Sequence, residues 1–120
     1  MEREQFLQFM HNLLRELATR KGSELSITAG SPPAMKVDGK VAPVSRTNLS
    51  PAHTRELARS IMTDKQAAEF EAAQECTFDI SPPGIGRFRV NAIVQQGHVG
   101  LTLIPEALAK AASKHSFVGG

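Results

Sequence analysis

The sequence predicts one α+β domain in which helices cover an antiparallel sheet. The chain has 120 residues, 41% of them hydrophobic, which is enough for one core. Its patterns follow in the order helix, strand, hairpin, two helices and three strands, unlike the alternation typical of parallel sheets. The clearest strand lies within Gly84–Gln95, where Phe88, Val90, Ala92 and Val94 alternate with mostly polar residues. We expect this strand to be central in the sheet.

The first third of the chain predicts a cover helix, a strand and a hairpin. Apolar residues recur at helical spacing over about residues 3–21, and Gly22 is placed to end that helix. Residues 23–28 alternate as a short strand does. Asp38-Gly39 favours a tight hairpin turn, because both positions accept positive φ. Pro43 cannot donate to a ladder, so the second hairpin strand is expected at an edge.

The middle of the chain predicts two helices with recognisable starts. Ser50-Pro51 combines a capping hydroxyl with a residue pre-set for the first helical turn, so we expect a helix over 51–62. Thr63 and Gln66 have the spacing of a capping box, in which each side chain bonds the other's backbone N–H. A second helix is therefore expected over 64–74.

The last part of the chain predicts a three-stranded antiparallel meander. Its first strand, Cys76–Ile80, is followed by the central strand and, after the turn at Gln96-Gly97, by a strand over 99–104. Cys76 is the only cysteine, so no disulfide can form within the chain, and we interpret it as a packing residue.

Arg87, Arg89 and Asn91 are the candidate functional residues, because they lie on the polar face of the predicted central strand. Two guanidiniums two residues apart can bind a carboxylate or a phosphate, because each guanidinium presents a planar fork of N–H donors and stays charged. The alternative is that the arginines pair with Asp or Glu on neighbouring strands. The sequence leaves both interpretations open.

Several kinds of catalytic and metal site are not recognisable in the sequence. The chain has no phosphate loop of the form Gly-x4-Gly-Lys-Ser/Thr, no His-Glu-x-x-His, no Cys-x-x-Cys and no Gly-x-Ser-x-Gly. Its four histidines lie on different predicted elements. We therefore expect no enzyme activity and no metal site in this chain.

Composition and the distribution of apolar residues also indicate which partners and which cellular compartment to expect. A net charge of +2 and the absence of Trp and Tyr disfavour nucleic-acid binding. The amino terminus lacks the apolar run of a signal peptide, and nowhere do eighteen apolar residues follow one another. We expect a cytoplasmic protein that does not insert into a membrane.

Four stretches together resemble one family, the type IV pilus retraction ATPases called PilT and PilU. They are Gly22–Pro33, Met35–Gly39, Met62–Gln66 with Glu69-Phe70-Glu71, and Gly86–Asn91. The resemblance covers roughly residues 2–105 in unbroken order. The segment Ile85–Val90, coming after Glu75–Phe78, is more similar to the PilU branch.

The resemblance implies that residues 1–105 form the PAS-like amino-terminal domain that, in the family, precedes a RecA-like ATPase core. ATP and Mg²⁺ would then be cofactors of that core only, with none held by this chain. In the family, six subunits form a ring in which each amino-terminal domain packs on the next subunit's core, and arginines of this domain approach the nucleotide. By position, Arg87, Arg89 and Asn91 match these contacts, whereas Thr102 stands where the family commonly has an arginine.

The function implied is that of a non-catalytic subunit-interaction domain of a pilus retraction motor at the cytoplasmic, inner face of the pilus machine. Its partners would be the ATPase cores of adjacent subunits and other pilus motor proteins, and it would form a homo-oligomer only together with that core. The alternative is a small-molecule sensor with a cavity lined by Phe70, Phe78 and Phe88, although these residues could equally fill the core. Residues 106–120 do not resemble the family's linker and are expected to form an atypical tail.

Overall fold

The computed structural model describes residues 3–108, which include three helices with defined bounds, one six-stranded antiparallel sheet and helical residues at 106–108. The elements are α1 (Arg3–Thr19), β1 (Glu24–Ile27), β2 (Ala34–Val37), β3 (Lys40–Pro43), α2 (Pro51–Ser60), α3 (Asp64–Ala73), β4 (Glu75–Ile80), β5 (Phe88–Gln95) and β6 (His98–Pro105). The α+β prediction and the predicted element order are confirmed. The predicted tail lies outside the described residues from position 109 onward.

The strands lie in the order β3-β2-β1-β6-β5-β4. Each half of the sheet consists of three consecutive antiparallel strands, β1–β2–β3 in one half and β4–β5–β6 in the other. The pairing of β1 with β6 joins the two halves, with Leu25 opposite Leu103. The predicted central strand, β5, is interior because β4 and β6 pair with it on both sides. Pro43 lies on the edge strand β3, as predicted.

All three helices pack on one face of the sheet and enclose a single core. Side chains at alternate strand positions meet those of the helices there, and the innermost residues are fully buried; among them are Met10, Leu14, Leu17, Leu25, Ile27, Val90 and Leu103. Phe88 is 2% exposed and Val90 is 0% exposed, so the predicted apolar face of β5 is the core face. The same alternation leaves the other face of the sheet outside the core.

Both predicted helix starts in the middle of the chain are confirmed. The hydroxyl of Thr63 accepts a hydrogen bond from the Gln66 N–H at 3.1 Å, and the Gln66 side chain accepts one from the Thr63 N–H at 3.0 Å. Ser50 caps α2 in the same reciprocal way with His53, whose ring nitrogen accepts the returning bond at 3.4 Å. The sequence did not predict this second box, because histidine is not the usual residue at that position.

The end of α1 differs from the prediction. The helix stops at Thr19, and Lys21 rather than Gly22 adopts the left-handed conformation, with φ of 54°. Gly22 has a different role, since a Cβ there would lie 2.7 Å from Leu17 Cδ1 and 3.0 Å from Met35 Cγ. Glycine is needed at this position for close packing between the helix and β2.

Candidate functional site

The face of the sheet opposite the helices is formed by half-buried and exposed side chains, most of them polar. We call this surface the open face. On its four adjoining strands it comprises Glu24 and Ser26 of β1, Thr102 and Ile104 of β6, Arg89, Asn91 and Ile93 of β5, and Thr77 and Asp79 of β4. Two of the three candidate residues, Arg89 and Asn91, therefore lie on one surface.

Arg89 is held by two carboxylates of its own domain. Its Nε lies 3.3 Å from Asp79 Oδ1, on the residue directly opposite it in β4, and its Nη2 lies 3.4 Å from Glu106 Oε1. The Arg89 side chain is 39% exposed. The interpretation of this arginine as a cross-strand partner for an acidic residue is thus the one that its contacts match.

Glu106 is a buried acidic residue that the sequence did not single out. Its side chain is only 11% exposed, and its Oε2 atom is buried without a hydrogen-bond partner among the described residues. Its backbone N–H donates to the Arg87 carbonyl at 2.9 Å, which ties the end of β6 to the start of β5. Since Glu106 simply follows Pro105 in the sequence, no local pattern indicates that it is buried.

Arg87 differs from Arg89 in position and in environment. It lies one residue before the start of β5, whereas Arg89 lies within that strand. The chain approaches it through Gly84 and Gly86, both with positive φ, and this turn leads into the strand only at Phe88. Arg87 is exposed, and its side chain has no ion pair with any other residue between 3 and 108.

Asn91 lies at the centre of a row of small polar residues that crosses the sheet. Its Oδ1 accepts a hydrogen bond from Thr77 Oγ1 at 3.1 Å, and Thr102 lies opposite it on β6. Ser26 continues the row on β1. An amide, three hydroxyls and no large side chain give this row capacity for hydrogen bonds to an approaching surface.

Beside this row the open face carries a cavity of about 430 Å³ near the β5–β6 hairpin. Gly100 lies opposite Ile93, and the lining includes Ser26, Thr102 and His98. Because glycine places no side chain on the sheet there, Ile93 is only half-buried. The cavity has the size to receive a side chain from another surface.

The phenylalanines proposed for a ligand cavity belong to the core instead. Phe70, Phe78 and Phe88 are 6%, 7% and 2% exposed. Phe70 and Phe88 border two different surface cavities, of about 440 and 690 Å³. This arrangement does not support a sensor that encloses a ligand among the three rings.

Other reactive groups form no recognisable centre in the described part of the chain. Residues 3–108 contain no group of three or more His, Cys, Asp or Glu that could hold a metal ion. Cys76 is half-buried, and burial together with the carboxylate of Glu69 raises the pKa of its thiol. A raised pKa lowers the thiolate fraction at neutral pH, so the packing interpretation of Cys76 is preferred. No helix within the described range is long and apolar enough to cross a membrane.

Solved structures of two ATPases share this architecture. The pilus retraction motor PilT, crystallised with bound ADP, matches with a TM-score of 0.72 and 32% identity over 78% of this chain and 28% of that chain. The ATPase DotB of Legionella pneumophila has the same fold, with a TM-score of 0.70 and 23% identity over 82% of this chain and 28% of that chain. The fold is thus one found in PilT-like ATPases.

Sequence comparison identifies the relatives more closely. The type IV pilus ATPase PilU of Pseudomonas aeruginosa is 50% identical over 91 residues, 76% of this chain and 24% of that protein. The type IV pilus retraction ATPase PilT of the same bacterium is 39% identical over 88 residues, 73% of this chain and 26% of that protein. The chain therefore corresponds to the amino-terminal region of the PilU and PilT type IV pilus ATPases, with higher identity to PilU. It spans about a quarter of the length of these curated relatives, and no family model matches it.

Proposed function

We propose that this chain acts as a non-catalytic subunit-interaction domain of a PilU-type pilus retraction ATPase. It packs on the ATPase core of the neighbouring subunit in a hexameric ring at the cytoplasmic face of the pilus machine. There it couples the nucleotide state of one subunit to the movement of the next. The similarity to PilU and PilT supports this proposal. The observation that carries it is Arg87, an exposed guanidinium without an ion-pair partner in the described domain.

Within this proposal the two arginines have different roles. Arg89 is already bound to Asp79 and Glu106, so it stabilises the start of strand β5. Arg87, which has no ion pair with another residue of the described domain, can donate to an anionic group of the neighbour, and the bond from the Glu106 N–H to its carbonyl fixes its backbone. A charge-assisted contact of this kind at a subunit boundary stabilises charge in the partner's nucleotide site. Asn91 and the hydroxyl row contribute neutral hydrogen bonds to the same interface.

The ATP and Mg²⁺ of such a motor would be bound by the ATPase core. These 120 residues lack a phosphate loop, and two arginines without a backbone cradle supply few of the donors that a triphosphate requires. The chain alone is accordingly expected to show no ATP turnover above a blank without protein. That measurement is the baseline for the test below.

The test joins this chain to a matching PilU-type ATPase core and compares Arg87→Ala with Arg46→Ala. Arg46 is another exposed arginine, in the loop between β3 and α2, so its removal makes the same change in charge. We expect Arg87→Ala to keep the melting temperature and the hexamer content while ATP turnover falls about tenfold or more, the cost of losing one preorganised charged donor. Arg46→Ala should leave all three unchanged.

Two results would overturn the assignment. Unchanged turnover in Arg87→Ala would remove the proposed contact with the neighbour. A drop in melting temperature that accompanies the lost turnover would show that Arg87 supports its own domain. Only normal melting and normal assembly with reduced turnover agree with transmission between subunits.

A further inference from the structure

A second charged surface lies on the helix-covered side of the domain, where no role has been assigned. Arg3 at the start of α1 and Arg55 and Arg59 of α2 line one cavity of about 320 Å³ together with Glu56 and Glu71. We call this surface the basic cleft. Three cations and two anions leave it with a net positive charge.

The geometry of α2 places two of these cations side by side. Arg55 and Arg59 are four residues apart, so their side chains project from the same face of the helix. The opposite face of α2 is fixed by Leu57 and Ala58, both 1% exposed, so the helix cannot rotate to separate the arginines from the cleft. The two guanidiniums are therefore presented one helical turn apart.

Only one weak ion pair opposes this positive charge among residues 3–108. Arg59 Nη1 lies 3.7 Å from Glu71 Oε1, and the two side chains are 43% and 74% exposed. Exposed pairs at this distance contribute little to stability. Arg3 and Arg55 form no ion pair with another described residue. An acidic group from outside could thus bind the arginines at little cost.

The basic cleft continues into an adjoining cavity of about 440 Å³, which shares Arg55, Arg59 and Glu71. Its lining is partly apolar, with Phe70, Val94 and Val99. Gly97 of the β5–β6 turn also lines this cavity and adds no side chain to it. Paired cations beside an apolar floor match a segment that carries both carboxylates and an apolar side chain.

We propose that the basic cleft docks an acidic segment of a protein partner, with two carboxylates one helical turn apart on Arg55 and Arg59 and an apolar residue against Phe70 and Val99. A protein segment fits better than a small anion, because Arg55 and Glu71 are exposed and such a surface would not enclose a small ligand. Charge complementarity selects the partner. This proposal is independent of Arg87, since Arg87 lines neither the basic cleft nor the cavity that adjoins it.

The test measures binding of a fluorescent helical peptide by the 120-residue chain. The peptide carries glutamates four residues apart with one leucine between them, and a second peptide carries lysines at the glutamate positions. Arg55→Ala/Arg59→Ala is compared with Arg15→Ala/Arg20→Ala at the other end of α1. The control pair removes the same charge and one exposed ion pair, Arg20 with Glu16 at 2.8 Å. Circular dichroism and melting temperature establish that both variants fold.

We expect the acidic peptide to bind, more weakly as salt is raised, and the lysine peptide not to bind. The cleft variant should bind about tenfold more weakly, since two charged contacts are lost, while the control variant stays within about twofold. Equal losses in both variants would show non-specific attraction and overturn the proposal, and so would absence of binding. Pyrophosphate that displaces the peptide at equal concentration would also overturn it, in favour of a small-anion site.

Discussion

At the scale of single residues, the most constrained group is the ion cluster where β5 begins. Arg89 bridges Asp79, which is half-exposed, and Glu106, which is nearly buried. The two ion pairs differ in what they contribute to the free energy of unfolding. An exposed ion pair contributes little, whereas a buried carboxylate left without a hydrogen-bond donor is strongly destabilising. Glu106 already has one oxygen that finds no hydrogen-bond partner within residues 3–108. Arg89 is therefore the group that makes burial of this carboxylate tolerable.

We accordingly expect Arg89→Ala to lower the free energy of unfolding by about 1–2 kcal/mol, because it leaves the Glu106 carboxylate without its cation. Arg87→Ala, which removes no described ion pair, should change it by about 0.5 kcal/mol or less. Urea denaturation of the 120-residue chain measures both. Combining Arg89→Ala with Glu106→Gln should recover part of the loss. Equal losses in the two arginine variants would contradict this division of roles.

At the scale of elements, the two short helices depend on their first residues. α2 and α3 have ten residues each, a length at which an isolated helix is marginal in water. Each begins with a capping box, so backbone donors that the first turn leaves free are satisfied. α3 contributes only Ala67 and Phe70 to the core, so it has less burial than α2 to compensate for a lost cap.

Thr63→Ala should therefore destabilise the domain by about 1 kcal/mol, because the bond that the hydroxyl accepts from the Gln66 N–H is lost. Thr47→Ala, at an exposed loop threonine, serves as the control and should have almost no effect. Thermal melting followed by circular dichroism compares the two. Thr63→Ser should retain most of the stability, and a loss as large as that of Thr63→Ala would point away from capping.

At the scale of the whole molecule, one core joins elements from both ends of the chain. β1 pairs with β6, and Leu25, Ile27, Leu101 and Leu103 lie along this seam at 3% exposure or less. The buried side chains of all three helices belong to the same cluster. Residues 3–108 should therefore unfold as one cooperative unit.

Phe88→Ala should cost about 3–5 kcal/mol, because it removes a large side chain from the packed interior and leaves a cavity. Val41→Ala is the comparison, since Val41 is 68% exposed on the edge strand and its truncation should cost about 0.5 kcal/mol or less. Urea denaturation measures both changes. A loss below about 1 kcal/mol for Phe88→Ala would contradict the assigned core face of β5.

The sequence alone determined the features that depend on neighbouring residues. Alternation in β5, the Asp38-Gly39 turn and the Thr63 capping box were predicted because periodicity, positive φ and capping act over two to five residues. The order of elements, and with it the α+β class, follows from the same local patterns. Similarity of the motifs to PilU and PilT was also recognisable at this level.

Only the tertiary structure decided what distant residues do to one another. Glu106 is buried beside Arg89 because β6 pairs with β5, and Arg59 meets Glu71 because α2 and α3 pack on one face. Arg87 and Arg89 look alike in sequence, yet only Arg89 forms ion pairs among residues 3–108, because Asp79 and Glu106 lie beside it. Burial and ion pairing are set by contacts across the sheet and between helices, and these contacts have no signature in the residues immediately around them.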